Sequence, residues 1–435
     1  MSDGNVLLIG DRVVTPDAEG PAAVAVVDGR IIYVGPERGA PRVGRVVRLQ
    51  PDEVLLPGLV DTHVHLQLLG CPGWEGLATG TRAAARGGTT TVVDMPVDSR
   101  PPTVDLASLE AKRAVLTAPF AVDLGLWGGA VPGLSGLSAL VNAGVLGLKA
   151  FLSPSGCDGF PPLSPADLRQ ALTALLPSGL PLLVHAEDEQ HALPLASTRR
   201  HGDFLASRPA VVEASAIAVV VDAVRRTGGR AHVVHVSSAD GVAVLRAARA
   251  EGLVITAETC PHYLVVDGDR VPDGATRCKA LPAVRGRSDA EALWAALTDG
   301  VIELVVSDHS PCAPGGKQTG DFALDKPGVS SLELRLPLLW TAARQRGHSF
   351  GDVARWTAQA PARLAGLPRK GRLVVGADAD LCVLAPDEPV RVGALAHLQA
   401  GTPWDGQLLR GAVRSTWLRG QPCDPDRPRG RVLVA

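Results

Sequence analysis

Between residues 56 and 370 the chain alternates short apolar runs with amphipathic stretches. Eight runs are rich in β-branched residues: LVDTHVHL (59–66), TTTVVDMP (89–96), AVDLGLWGG (121–129), GLKAFL (147–152), LPLLVHAE (180–187), AHVVHVSS (231–238), GLVITAE (252–258) and IELVVSDHS (302–310). Short apolar runs bounded by Gly, Pro and Asp read as buried strands. Helix punctuation lies between them. Ser164-Pro165 opens a helix, Ser288-x-x-Glu291 and Ser330-x-x-Glu333 fit capping boxes, and Gly87-Gly88, Gly228-Gly229 and Gly252 fit helix C-termini. Strand–helix alternation repeated eight times predicts a (β/α)8 barrel. A doubly wound open sheet is the alternative, but no glycine-rich phosphate loop follows the first run. The two ends read differently, with β-type runs and tight turns in VLLIGDRVV, AAVAVVDGRIIYVG, LVVGADADLCVLA, VRSTWLRGQP and RVLVA. The predicted fold class is α/β: a TIM-like barrel over 56–370, with a small composite β-sandwich built from 1–55 and 371–435.

Composition narrows the function classes. Hydrophobic residues are 46% of 435, enough to bury a sizeable core and exclude global disorder. The formal net charge of −2 offers no basic excess for nucleic acid or an acidic membrane surface. Seven scattered Cys without a C-x-x-C pair argue against a disulfide framework and a thiolate zinc site. With neither a leader-like start nor a long apolar run, the expectation is a soluble, cytoplasmic protein. Lysine is scarce: six (112, 149, 279, 317, 326 and 370) against 37 arginines.

Polar exceptions cluster at the ends of the apolar runs, where a barrel carries its chemistry. His63 and His65, two apart on a strand, point the same way. His185, His235 and Asp308 end later runs, and Lys149 interrupts another. Converging imidazoles and a carboxylate suit metal ions. A buried amine is driven neutral and can take up CO₂ as a carbamate able to bridge two cations. His232, three residues from His235, is expected on the opposite face as a structural residue. His191, His201, His348 and His397 read as surface positions, and His262 and His309 as neighbours of the pocket.

The motifs PGLVDTHVHL, GLKAFL, LLVHAE, HVVHVSS and VVSDHSP together resemble the amidohydrolase superfamily, in its branch of cyclic amide hydrolases. That resemblance implies a binuclear centre, usually zinc: His63 and His65 on the first ion, His185 and His235 on the second, and N-carboxylated Lys149 bridging both. It implies that Asp308 ligates the first ion and acts as general base, then acid. Segments 74–96, 99–103, 151–161, 204–217, 257–264 and 307–312 look most like the allantoinases, which implies hydrolysis of allantoin to allantoate. Dihydroorotases typically carry Arg where Gln67 stands, and neither Tyr33 nor Tyr263 fits the ring-contacting Tyr of hydantoinases. The chain also departs from allantoinases at Gln67–Cys71, at Asp98 (usually Asn) and at Lys279–Arg285. A hydantoinase-like or specialised-metabolism enzyme, or a cyclase, acting on another neutral or cationic ring is the alternative. Expected substrate contacts are Gln67, Asp98, Ser153, Ala280 and His309. The expected partners are a small cyclic amide and further copies of the chain, as a tetramer or dimer, with no nucleic acid and no membrane.

Overall fold

In the computed structural model, residues 5–71, 73–312, 315–399 and 401–435 are described. Eight parallel strands form the barrel: Leu59–Val64, Thr89–Asp94, Asp123–Leu126, Leu148–Phe151, Leu182–His185, Ala231–Val233, Ile255–Thr259 and Leu304–Val305. The seam closes where Val64 bridges His309, with the His65 N–H donating to the His309 carbonyl at 2.8 Å. The third strand breaks at Trp127, whose indole N–H donates to the Thr62 carbonyl (2.8 Å). The next residues, Gly128–Gly129, then pair with the fourth strand.

Helices surround the barrel. The helix Pro165–Leu175 starts as expected, with the Ser164 hydroxyl accepting from the Asp167 amide, and Gly228 ends Val211–Thr227 in the left-handed conformation (φ 68°). The two capping boxes expected at Ser288 and Ser330 do not form. Ser288 lies inside the helix Arg287–Thr298, and the Ser330 hydroxyl donates to the Gln399 carbonyl instead. The apolar stretch 201–227 is long enough to cross a membrane. Here it is two helices, His201–Ser207 and Val211–Thr227, and Val212, Ile217, Val220 and Val224 of the second are buried.

Both chain ends build one hydrogen-bonded sheet. Its order is 421–422, 408–418, 381–391, 54–57, 6–14, 19–27 and 30–35. The sheet forks at Val6–Val14, whose first half also pairs with Arg45–Arg48 and whose second half pairs with Leu55, across an irregularity between Gly10 and Val13. Val6, Leu8, Val24, Val26, Leu55, Leu381 and Trp417 fill its core.

The last residues correct the expected layout. RVLVA does not join this sheet: Val432 pairs in parallel with Leu124, and Leu433 N–H donates to the Leu124 carbonyl at 2.8 Å. The reason is an open edge. The fourth strand begins opposite Gly128, leaving the lower part of the third without a partner on that side.

A buried ion cluster ties sheet to barrel. Lys370 Nζ reaches Asp123 (2.6 Å), Asp378 (3.0 Å) and Asp380 (2.7 Å), and Arg419 also bonds Asp123 (2.6 Å). This placement is typical of the rare lysines. Lys112, Lys149, Lys279 and Lys370 are buried, Lys317 is half-buried, and Lys326 alone is exposed.

Candidate active site

The C-terminal strand ends open into a cavity of about 330 Å³, within the usual range for a small-molecule site. Its wall includes His63, His65, Asp98, Lys149, Ser153, His185, His235, Ala280 and Asp308. Four of the surrounding residues have positive φ without being glycine: Gln67 (49°), Asp98 (54°), His235 (42°) and Asp308 (45°). Such conformations cost energy and cluster at working sites.

The imidazoles are oriented from behind. His63 Nδ1 lies 2.5 Å from Glu258 Oε1, leaving Nε2 at 3.2 Å from Asp308 Oδ1. His185 Nε2 lies 2.9 Å from Glu187 Oε2, and the other Glu187 oxygen accepts from Arg208 at 3.0 Å. That turns His185 Nδ1 toward His235 Nε2, 2.9 Å away. His65 Nδ1 is 2.8 Å from Asp98 Oδ2, approached obliquely to the ring N–H, and its Nε2 is 3.8 Å from Asp308 Oδ1. Among the described residues, Lys149 Nζ, His65 Nδ1 and His235 Nδ1 make no hydrogen bond of ordinary geometry.

His232 was expected to face away from His235. It is instead inside the barrel, with Nε2 3.0 Å from the second Glu258 oxygen and Nδ1 2.8 Å from the Thr256 hydroxyl. The strand ends at Val233 and the backbone turns left-handed at His235, so two-residue alternation stops before it. Glu258 thereby serves His63 and His232 together.

Burial dominates the electrostatics. It lowers the Lys149 ammonium to about 8 against the partial support of Glu258 and Asp308. It raises the Asp308 carboxyl to about 7, although His65 and Lys149 pull the other way. It holds His63 and His235 well below their ordinary value, with help from Lys149 and neighbouring imidazoles. His65 is raised: burial opposes, and the carboxylates of Asp98 and Asp308 together more than offset it.

Four imidazoles, three of them held below their ordinary pKa, with a carboxylate and an unpartnered amine, form a donor set suited to divalent cations. Donor atoms of His63, His65 and Asp308 lie within 4.8 Å of one another. So do those of Cys260, His262 and Asp308. His262 lies behind Asp308, 4.0 Å away, and burial holds its pKa down to about 3.

The sequence profile of the amidohydrolase family matches residues 54–423. The chain belongs to the amidohydrolase family. It is 47% identical to a protein named allantoinase from Streptomyces avermitilis, over 100% of this chain and 99% of that one. A second allantoinase, from Saccharomyces cerevisiae, is 37% identical over 95% and 94%. Among solved structures, the L-hydantoinase (dihydropyrimidinase) from Arthrobacter aurescens superposes with a TM-score of 0.92, at 28% identity over 99% of this chain and 100% of that one.

In this amidohydrolase two expected substrate contacts turn away from the cavity. Gln67 is buried, and its amide donates to the Pro311 carbonyl at 2.9 Å. His309 Nε2 is 3.2 Å from Glu75, and its Nδ1 accepts from the Ser331 amide at 3.2 Å, so its side chain is consumed in packing the loops. His397 is no surface residue either. It is buried against His309, ring centroids 4.5 Å apart, and accepts from the Glu333 amide at 3.0 Å. His201 is likewise buried, Nδ1 3.0 Å from the Gly268 carbonyl. Glu187 and Glu258 escaped the sequence reading. The signal that singled out Lys149, a charged residue in an apolar run, applied equally to Glu258 in ITAET.

Proposed function

We propose that this amidohydrolase opens the hydantoin ring of allantoin to allantoate. The observation that supports it most is the convergence of His63, His65, Lys149, His185, His235 and Asp308 on one cavity, in a chain related end to end to a named allantoinase. His63, His65 and Asp308 would hold one divalent ion, and His185 and His235 a second, zinc being the ion such donors favour. Lys149, unpartnered and easily deprotonated, would add to CO₂, lose a proton and offer the resulting carbamate to both. Bound there, such ions polarise a carbonyl and lower the pKa of water.

The chain's own groups supply the rest. Asp308, whose carboxylate reaches into the cavity, would take the proton of the attacking water and return it to the ring nitrogen as the C–N bond breaks. Phe151 stacks on His185 (centroids 4.9 Å) and helps keep solvent from that side. Ser153 and Ala280 line the cavity, where their polar groups would meet a ring of alternating N–H and C=O groups. The solved hydantoinase of the same fold favours a second reading, a hydantoinase-like enzyme or cyclase acting on another neutral ring. We infer a cytoplasmic enzyme that works as a homo-oligomer, from composition and family likeness.

A panel of allantoin, hydantoin, dihydrouracil and dihydroorotate, assayed with zinc or cobalt, separates the readings. Turnover of allantoin with two metal equivalents per chain is expected. Turnover of another ring without allantoin would retire the proposal. In the same assay Glu258→Gln is expected to weaken zinc retention about 10–100-fold, because one carboxylate orients both His63 and His232. Equilibrium dialysis against a chelator reads that loss directly.

A further inference from the structure

Three of the four imidazoles facing the cavity have a carboxylate beside the ring: Glu258 at His63, Glu187 at His185 and Asp98 at His65. The first two are sealed, with side-chain exposures of 0% and 2%. Asp98 is different, 30% exposed on the cavity wall. Its backbone is fixed in the left-handed region (φ 54°), which Asp, Asn and Gly tolerate best. The Cys71 thiol donates to its carbonyl at 3.3 Å. The loop is thus held in a conformation that brings the carboxylate to His65 Nδ1, 2.8 Å away.

We propose that Asp98 is a positioning residue for the metal centre. It keeps the His65 proton on Nδ1, so that Nε2 presents its lone pair on the side of Asp308, 3.8 Å away. A carboxylate can only accept, whereas an amide can turn either its oxygen or its NH₂ to the ring. At 2.8 Å, though oblique to the ring N–H, the carboxylate acts by its charge: it favours the proton on Nδ1 and makes Nε2 a stronger lone-pair donor. Asp98 also lines the cavity, where the direct substrate contact was expected of it. The inference rests on the metal-centre reading above and adds a residue outside the ligand set.

The test uses the full-length zinc-loaded protein with Asp98→Asn and Asp98→Gly, both compatible with the left-handed backbone. Zinc retained per chain is measured against increasing chelator, and the melting of metal-free protein is followed alongside. One of two equivalents is expected to leave at about 10-fold lower chelator strength in Asp98→Asn and about 100-fold lower in Asp98→Gly. The other equivalent and the metal-free melting should match wild type. Variants that hold both equivalents as tightly as wild type, or lose both in parallel, would overturn the proposal. A wild-type protein that binds no zinc would overturn the metal-centre reading itself, a different and separately visible failure.

Discussion

Lys149→Met is expected to abolish turnover while leaving the metal-free protein at least as stable as wild type. The two effects have separate causes. One electrostatic contact to a transition state carries about 10²–10³-fold in rate. Removing the group proposed to join both ions takes away several at once, so kcat/KM should fall by at least about 10³-fold. Stability moves the other way. The Lys149 ammonium is buried, has no hydrogen-bond partner and is lowered to about 8. Holding that ammonium charged at neutral pH costs on the order of 3 kcal/mol, at about 1.4 kcal/mol for each unit that its pKa is lowered, and a thioether of similar length avoids this cost. The pH dependence carries the same sign. In metal-free wild type the folded chain binds fewer protons than the unfolded one between about 8 and 10.5, so stability rises with pH across that window and the full cost is present below it. Urea midpoints at pH 7 and pH 9 should diverge in wild type more than in Lys149→Met. An active variant, or one unfolded without metal, would contradict the argument.

Lys370→Met is expected to do the opposite, lowering stability without touching the cavity. Three carboxylates from barrel and sheet meet this one ammonium, at 2.6, 3.0 and 2.7 Å. Asp123 keeps Arg419 and Asp378 keeps Arg30, but Asp380 retains only the Arg419 amide. Removing one member of a buried charged group costs about 3–5 kcal/mol, because the others are left uncompensated. Burial already raises Asp380, so without Lys370 it is the carboxyl that should take up a proton first. Adding Asp380→Asn to Lys370→Met should therefore recover part of the loss, a coupling that a double-mutant cycle measures. Simple additivity of the two changes would sink the cluster as a unit.

The two lysines show what could be read from the chain and what could not. The eight barrel strands were legible because a strand buried on both faces is a nearly unbroken apolar run, and every polar interruption stands out. His63, His65, Lys149, His185, His235 and Asp308, which line one cavity, stood out by that contrast. Their orientation was not legible, because it is set by partners far along the chain: Glu258, which aligns His63, lies 195 residues away. His232 was misread because alternation was carried past the point where the strand ends. His309 adjoins Asp308, yet its side chain packs on Glu75, a residue no local pattern connects to it. The tail 431–435 looked like one more sandwich strand. Which open edge it would find depended on how the third and fourth barrel strands are staggered.

The placement of the lysines bears on how this enzyme can be handled. Of the six lysine side chains, an acylating reagent at neutral pH meets one that is exposed, Lys326. It sits at the cavity mouth, its Nζ 4.9 Å from the centroid of the Trp74 ring. Coupling the protein to a support through its lysine side chains would thus tether it by its own entrance. A dye attached the same way would report on what passes through.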